Sequence, residues 1–126
     1  MIERFHDVTI EGRDYRLGRV TASIGSWIVL QMTAGRAGDI EVYKKIQSYL
    51  FNPISVYVER EGSRVPMRIY DEGKWLLTDL DLEYDLEAVN ALYSAALEFN
   101  FDDFFARRKK EVEEAKRAAE ALQAST

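Results

Sequence analysis

Asp85–Phe105 reads DLEAVNALYSAALEFNFDDFF and is the most apolar and most aromatic part of the chain. Leu86, Val89, Leu92, Tyr93, Ala96 and Leu97 recur at the three-and-four spacing of one helix face. Asp85 stands just before them as an N-cap, its carboxylate available to the orphan backbone N–H groups. Phe99, Phe101, Phe104 and Phe105 then follow, interrupted by Asn100, Asp102 and Asp103, which reads as an aromatic break before a second helix. Rings this close cannot all point one way. Some are expected in the core, and the rest mark a surface that another protein covers.

Upstream, the chain alternates between hairpin and helix signals. Val8-Thr9-Ile10 and Tyr15-Arg16-Leu17 flank the polar turn Glu11-Gly12-Arg13-Asp14. Thr21 or Ser23 can cap a helix carrying Ile24, Trp27, Ile28, Gln31 and Met32, whose end Gly35 and Gly38 mark. Gly25 inside that helix costs about 1 kcal/mol relative to alanine. Asp39 caps a second helix with Ile40, Tyr43, Ile46 and Leu50 on one stripe, stopped by Asn52-Pro53.

A second hairpin follows, in which Ile54, Val56 and Val58 and then Val65, Met67 and Ile69 alternate with polar neighbours around Arg60-Glu61-Gly62-Ser63. Pro66 cannot donate a ladder hydrogen bond, so its strand belongs at an edge or a bulge. Asp71-Glu72-Gly73-Lys74 is a further turn before Trp75-Leu76-Leu77. Thr78 to Asp85 alternates acids with Leu80, Leu82 and Tyr84, which predicts an extended arm with those three side chains inward.

From Ala106 the composition changes to ARRKKEVEEAKRAAEALQAST, with Val112 and Leu122 its only large aliphatics. Helix propensity is high there and packing capacity low. The expected fold class is therefore α+β: short antiparallel β-hairpins packed against several α-helices, in one domain over residues 1–105, with a protruding charged helix over 106–126.

Composition narrows the function. A net charge of −5 opposes nonspecific attraction to phosphate backbones. With no cysteine, thiol catalysis, disulfides and Cys-type zinc sites are excluded. His6, the one histidine, has no second histidine or cysteine to share a metal with, so no metal site is expected on it. Gly35-Arg36-Ala37-Gly38 follows a helix, whereas a nucleotide cradle needs a strand, a loop and a helix N-terminus. Asp79, Asp81, Glu83 and Asp85 lack the central glycine and terminal glutamate of a calcium loop. No cofactor and no catalytic residue is indicated, and no apolar run approaches the ~20 residues of a membrane span.

Arg107-Arg108-Lys109-Lys110 is the one basic cluster and supports an alternative function, a small adaptor or DNA-associated regulator. Glu111, Glu113 and Glu114 follow at once, so pairs such as Arg108 with Glu111 and Lys110 with Glu114 give an ordinary solvated helix instead.

The early TIEGRDYRLGRVTA, the apolar SWIVLQM and above all LDLEYDLEAVNALYSAALEFNFDDFF before a charged tail resemble the tail assembly chaperones of long-tailed bacteriophages and prophages. That resemblance implies a non-enzymatic protein of the bacterial host cytoplasm, absent from the mature virion. It would bind the long helical tape-measure protein, recruit tail-tube protein and self-associate as a homo-oligomer, in many members with a frameshifted longer product. Its partner surface is expected on Phe99, Phe101, Phe104 and Phe105, with Trp27 and Trp75, and on Val112 and Leu122 of the tail.

Overall fold

Three Glu-Gly pairs reverse the chain in the same way. Glu11-Gly12, Glu61-Gly62 and Glu72-Gly73 all have positive φ at both residues, from 44° at Glu72 to 91° at Gly73. A two-residue turn of this hand matches the right-handed twist of the strands it joins. Each pair closes one hairpin in the computed structural model, which describes residues 2–124 and, of Arg108, the backbone alone. The predicted Arg108–Glu111 pair and the last two positions of the tail lie outside the described residues.

The first hairpin joins β1 (Phe5–Ile10) to β2 (Arg13–Gly18), and the second joins β3 (Ser55–Arg60) to β4 (Ser63–Arg68). They share one antiparallel sheet in the order β1-β2-β3-β4. Pro66 accordingly sits on an edge strand. The register aligns Val8 with Tyr15, Tyr15 with Val56 and Val56 with Met67, a single apolar row across the sheet. A third, short hairpin pairs β5 (Tyr70–Asp71) with β6 (Lys74–Trp75).

Between β2 and β3 the chain makes α1 (Ala22–Thr33) and α2 (Ile40–Phe51). Of the two candidate caps for α1, Thr21 is used, its Oγ1 accepting from the Ile24 N–H at 3.4 Å. Asp39 caps α2 through the N–H groups of Glu41 and Val42 at 3.0 and 3.3 Å. Ile28, Ile46, Leu50, Phe51, Tyr15, Leu17 and Val56 form one buried cluster with Val89, Leu92 and Ala96 of the last helix. Ile40 departs from the expected stripe and is 62% exposed. It is the first residue of α2, one turn before Tyr43, whose ring packs against Tyr93 of the last helix at 5.0 Å.

Two segments correct the sequence reading. Thr78 to Asp85 is not an extended arm; it makes two single turns of 3₁₀ helix, Thr78–Leu80 and Leu82–Tyr84, linked by left-handed residues at Leu77 and Asp81. Alternation by twos needs a partner strand to be realised, and β6 ends before the segment begins. Leu82 is buried and Leu80 packs half-buried against the core, as expected, whereas Tyr84 is 82% exposed.

The second correction concerns the aromatic break, which does not exist. One helix, α3 (Leu86–Ala124), runs through it for 39 residues. Its length is about 58 Å at 1.5 Å per residue. No glycine or proline interrupts it, and Asn100, whose residue type usually favours turns, satisfies its side chain without leaving the helix. Its Nδ2 donates to the Ala96 carbonyl at 2.9 Å, and its Oδ1 accepts from the Val20 N–H at 3.0 Å. This clasp ties the entry of α1 to the middle of α3. Asp85 does cap the helix, through the Ala88 N–H at 3.1 Å. Leu86, expected on the core face, is 71% exposed, while Ala88 and Val89 in the same first turn are buried.

Every described side chain from Ala106 to Ala124 is exposed. Truncation after Lys110 is therefore expected to leave the melting temperature within a few degrees of the full chain, since little apolar area is lost. A thermal melt of the truncated chain checks this.

Candidate protein-binding groove

The aromatic block divides by helix geometry. At about 100° per residue, Phe101, Phe104 and Phe105 share one side of α3 and Phe99 lies apart from them. Phe101 is 5% exposed and belongs to the core. Phe105 packs edge-on to Phe101 and Phe104, with ring centroids at 6.4 and 5.5 Å. Phe99 stacks on His6 at 5.5 Å, and the Arg19 guanidinium lies 4.4 Å from its ring. Phe104 is the one ring of the block that opens to solvent, at 41% exposure.

The tryptophans are structural in their surroundings. Trp27 meets Tyr49 edge-on at 5.7 Å under the Lys45 ammonium, and Trp75 packs edge-on to Phe51 and Tyr70. Val112 and Leu122 lie exposed on the outer half of α3, apart from the other named residues. Arg107, Lys109 and Lys110 are exposed on the outer half of α3.

Phe104 has neighbours that the sequence did not single out. It forms one rim of an open groove of about 680 Å³ between α1 and α3, lined also by Ile2, Val20, Gly25, Val29, Leu30 and Phe101. Ile2 and Leu30 are 71% and 62% exposed. Val20, Gly25 and Phe101, much less exposed, form the floor. Among the described residues the polar members are hydroxyls, the Asn100 amide and Arg19, with no carboxylate. A second cleft, of about 130 Å³ beside Trp75 and Tyr84, has room for little more than a few water molecules.

Gly25 stands out in the floor. The φ at Gly25 is not in the left-handed region, and a Cβ placed on it would meet the Phe101 Cε1 at 3.6 Å and the Val20 Cγ2 at 3.7 Å, ordinary contact distances. Gly25→Ala is therefore expected to stabilise the fold by about 1 kcal/mol, the helix propensity difference. A rise of a few degrees in the melting temperature checks it.

The arrangement offers apolar contact and little reactive chemistry. His6, with Glu3 3.3 Å away, lies outside the groove. Among the described residues no group of three or more His, Cys, Asp or Glu is placed to hold a metal, and no helix is long and apolar enough to cross a membrane. Compared with protein-family models, curated proteins and solved structures, the chain matches none of them.

Proposed function

We propose that this chain is a tail assembly chaperone of a long-tailed phage or prophage, a non-enzymatic protein that holds the tape-measure protein and recruits tail-tube subunits in the bacterial host cytoplasm. The observation that carries the reading is the convergence of Ile2, Leu30 and Phe104, three exposed large apolar residues, on one groove. Such clustering marks an interaction surface, whereas single exposed aliphatics are ordinary. An unassembled tape measure would expose helical apolar stripes, and a groove between two helices takes such a stripe. The exposed outer half of α3 supplies a separate arm for a neighbouring copy or for tail-tube protein.

Co-expression with a fragment of a phage tape-measure protein tests the proposal. Copurification is expected, and Phe104→Ser should weaken it without unfolding the chain. Phe101→Ser is a poor probe, since it would also open the core. Failure of the wild-type chain to retain the fragment overturns the reading.

A further inference from the structure

We infer that the groove between α1 and α3 takes a single amphipathic helix of the partner, about three turns long, seated with an acidic residue at the Arg19 end. The inference rests on the reading of the chain as a binding protein and adds the shape and charge of what it binds. The length comes from the wall. α1 has 12 residues, about 18 Å at 1.5 Å per residue. Of the groove-lining positions of α1, Ala22, Gly25, Ser26 and Thr33 are small and let another helix approach, while Val29 and Leu30 add apolar contact. Opposite them stand the rings of Phe101 and Phe104, large enough to pack between apolar residues of an incoming helix.

Gly25 is the independent sign that this approach is used. Gly18 is required by packing, because a Cβ there would lie 2.6 Å from Pro53. Gly12, Gly35, Gly62 and Gly73 have left-handed backbones. Gly25 has neither reason, sits inside a helix at a cost, and lines the groove. A local rule broken without structural need is expected at functional positions.

Charge fixes the end. In a chain of net charge −5, the only charged residue lining the groove among the described residues is Arg19. Its Nε donates to the Glu3 carbonyl at 2.7 Å and its plane rests on Phe99, so the guanidinium is held in place. Among the described residues no ion pair engages it. A held guanidinium at the end of an apolar groove suits a carboxylate, through paired charge-assisted hydrogen bonds.

The test uses two synthetic amphipathic peptides of three to four helical turns, identical except for glutamate or lysine at one terminus, with binding followed by fluorescence anisotropy. The wild-type chain should prefer the glutamate peptide by about tenfold, and Arg19→Glu should reverse the preference. Leu30→Glu, at an exposed position that leaves the fold intact, should weaken both peptides. Reversal by Arg19→Glu is a readout that simple unfolding cannot give. Absence of binding, or binding indifferent to both substitutions, overturns the inference. A tape-measure fragment that copurifies equally with the Leu30→Glu chain overturns the groove assignment while leaving the chaperone reading standing. Peptide binding that responds as expected, with no retention of the tape-measure fragment, overturns the chaperone reading and leaves the groove.

Discussion

Phe51→Ala is expected to lower the unfolding free energy by about 3–5 kcal/mol, a large share of the ~5–15 kcal/mol that holds a domain together. Phe51 closes α2 and has no exposed surface. Its ring meets Tyr70 and Trp75 edge-on, with centroids at 5.9 and 5.7 Å, and those two rings meet each other at 5.3 Å. Truncation removes the one member that joins the short β5-β6 hairpin to the helices. The surrounding rings are rigid and anchored on different elements, so the cavity cannot collapse fully, which places the cost toward the upper end. Urea unfolding followed by tryptophan fluorescence measures it. A loss below about 1 kcal/mol would mean that the aromatic trio does not hold the hairpin in place.

The second large effect comes from adding one methyl group. Gly18 ends β2 where the chain passes Pro53, just after α2, and a Cβ there would lie 2.6 Å from both the Pro53 Cβ and its carbonyl oxygen. Both are fixed close to the backbone and neither can swing aside. Gly18→Ala should therefore destabilise by about 1–3 kcal/mol as the sheet and α2 are pushed apart. The same substitution at Gly25 is expected to act in the opposite direction, by about 1 kcal/mol. Measuring both melting temperatures in one experiment separates steric cost from helix propensity, because the chemical change is identical. Equal signs would show that the spacing at one of the two glycines is misjudged.

Much of the fold was legible because it is written in local chemistry. The Glu-Gly turns, the caps at Thr21, Asp39 and Asp85, and Pro66 on an edge strand all follow from residue type and spacing. What was hidden depends on contacts distant in sequence. Asn100 looks like a helix breaker until Val20, eighty positions earlier, takes its side-chain oxygen. The alternation of Thr78 to Asp85 mimics a strand, and only the lack of a partner strand makes it two turns.

The groove shows the same division. Phe101 and Phe104 could be named from the aromatic block, but Ile2 and Leu30 are isolated apolar residues without periodic signal. Folding brings them to the same opening. The usable signal was Gly25, whose place inside a helix carries a propensity cost that the chain's own packing does not explain. Trp27 and Trp75, expected on the partner surface, have their rings engaged within the chain by Tyr49, Phe51 and Tyr70.

Amide hydrogen exchange of the chain with and without a bound tape-measure fragment tests most directly whether a partner helix lies between α1 and α3. New protection is expected over residues 20–33 and 97–105, with the sheet unchanged. Protection confined to residues 106–124, or spread over the outer face of β1 to β4, would contradict it.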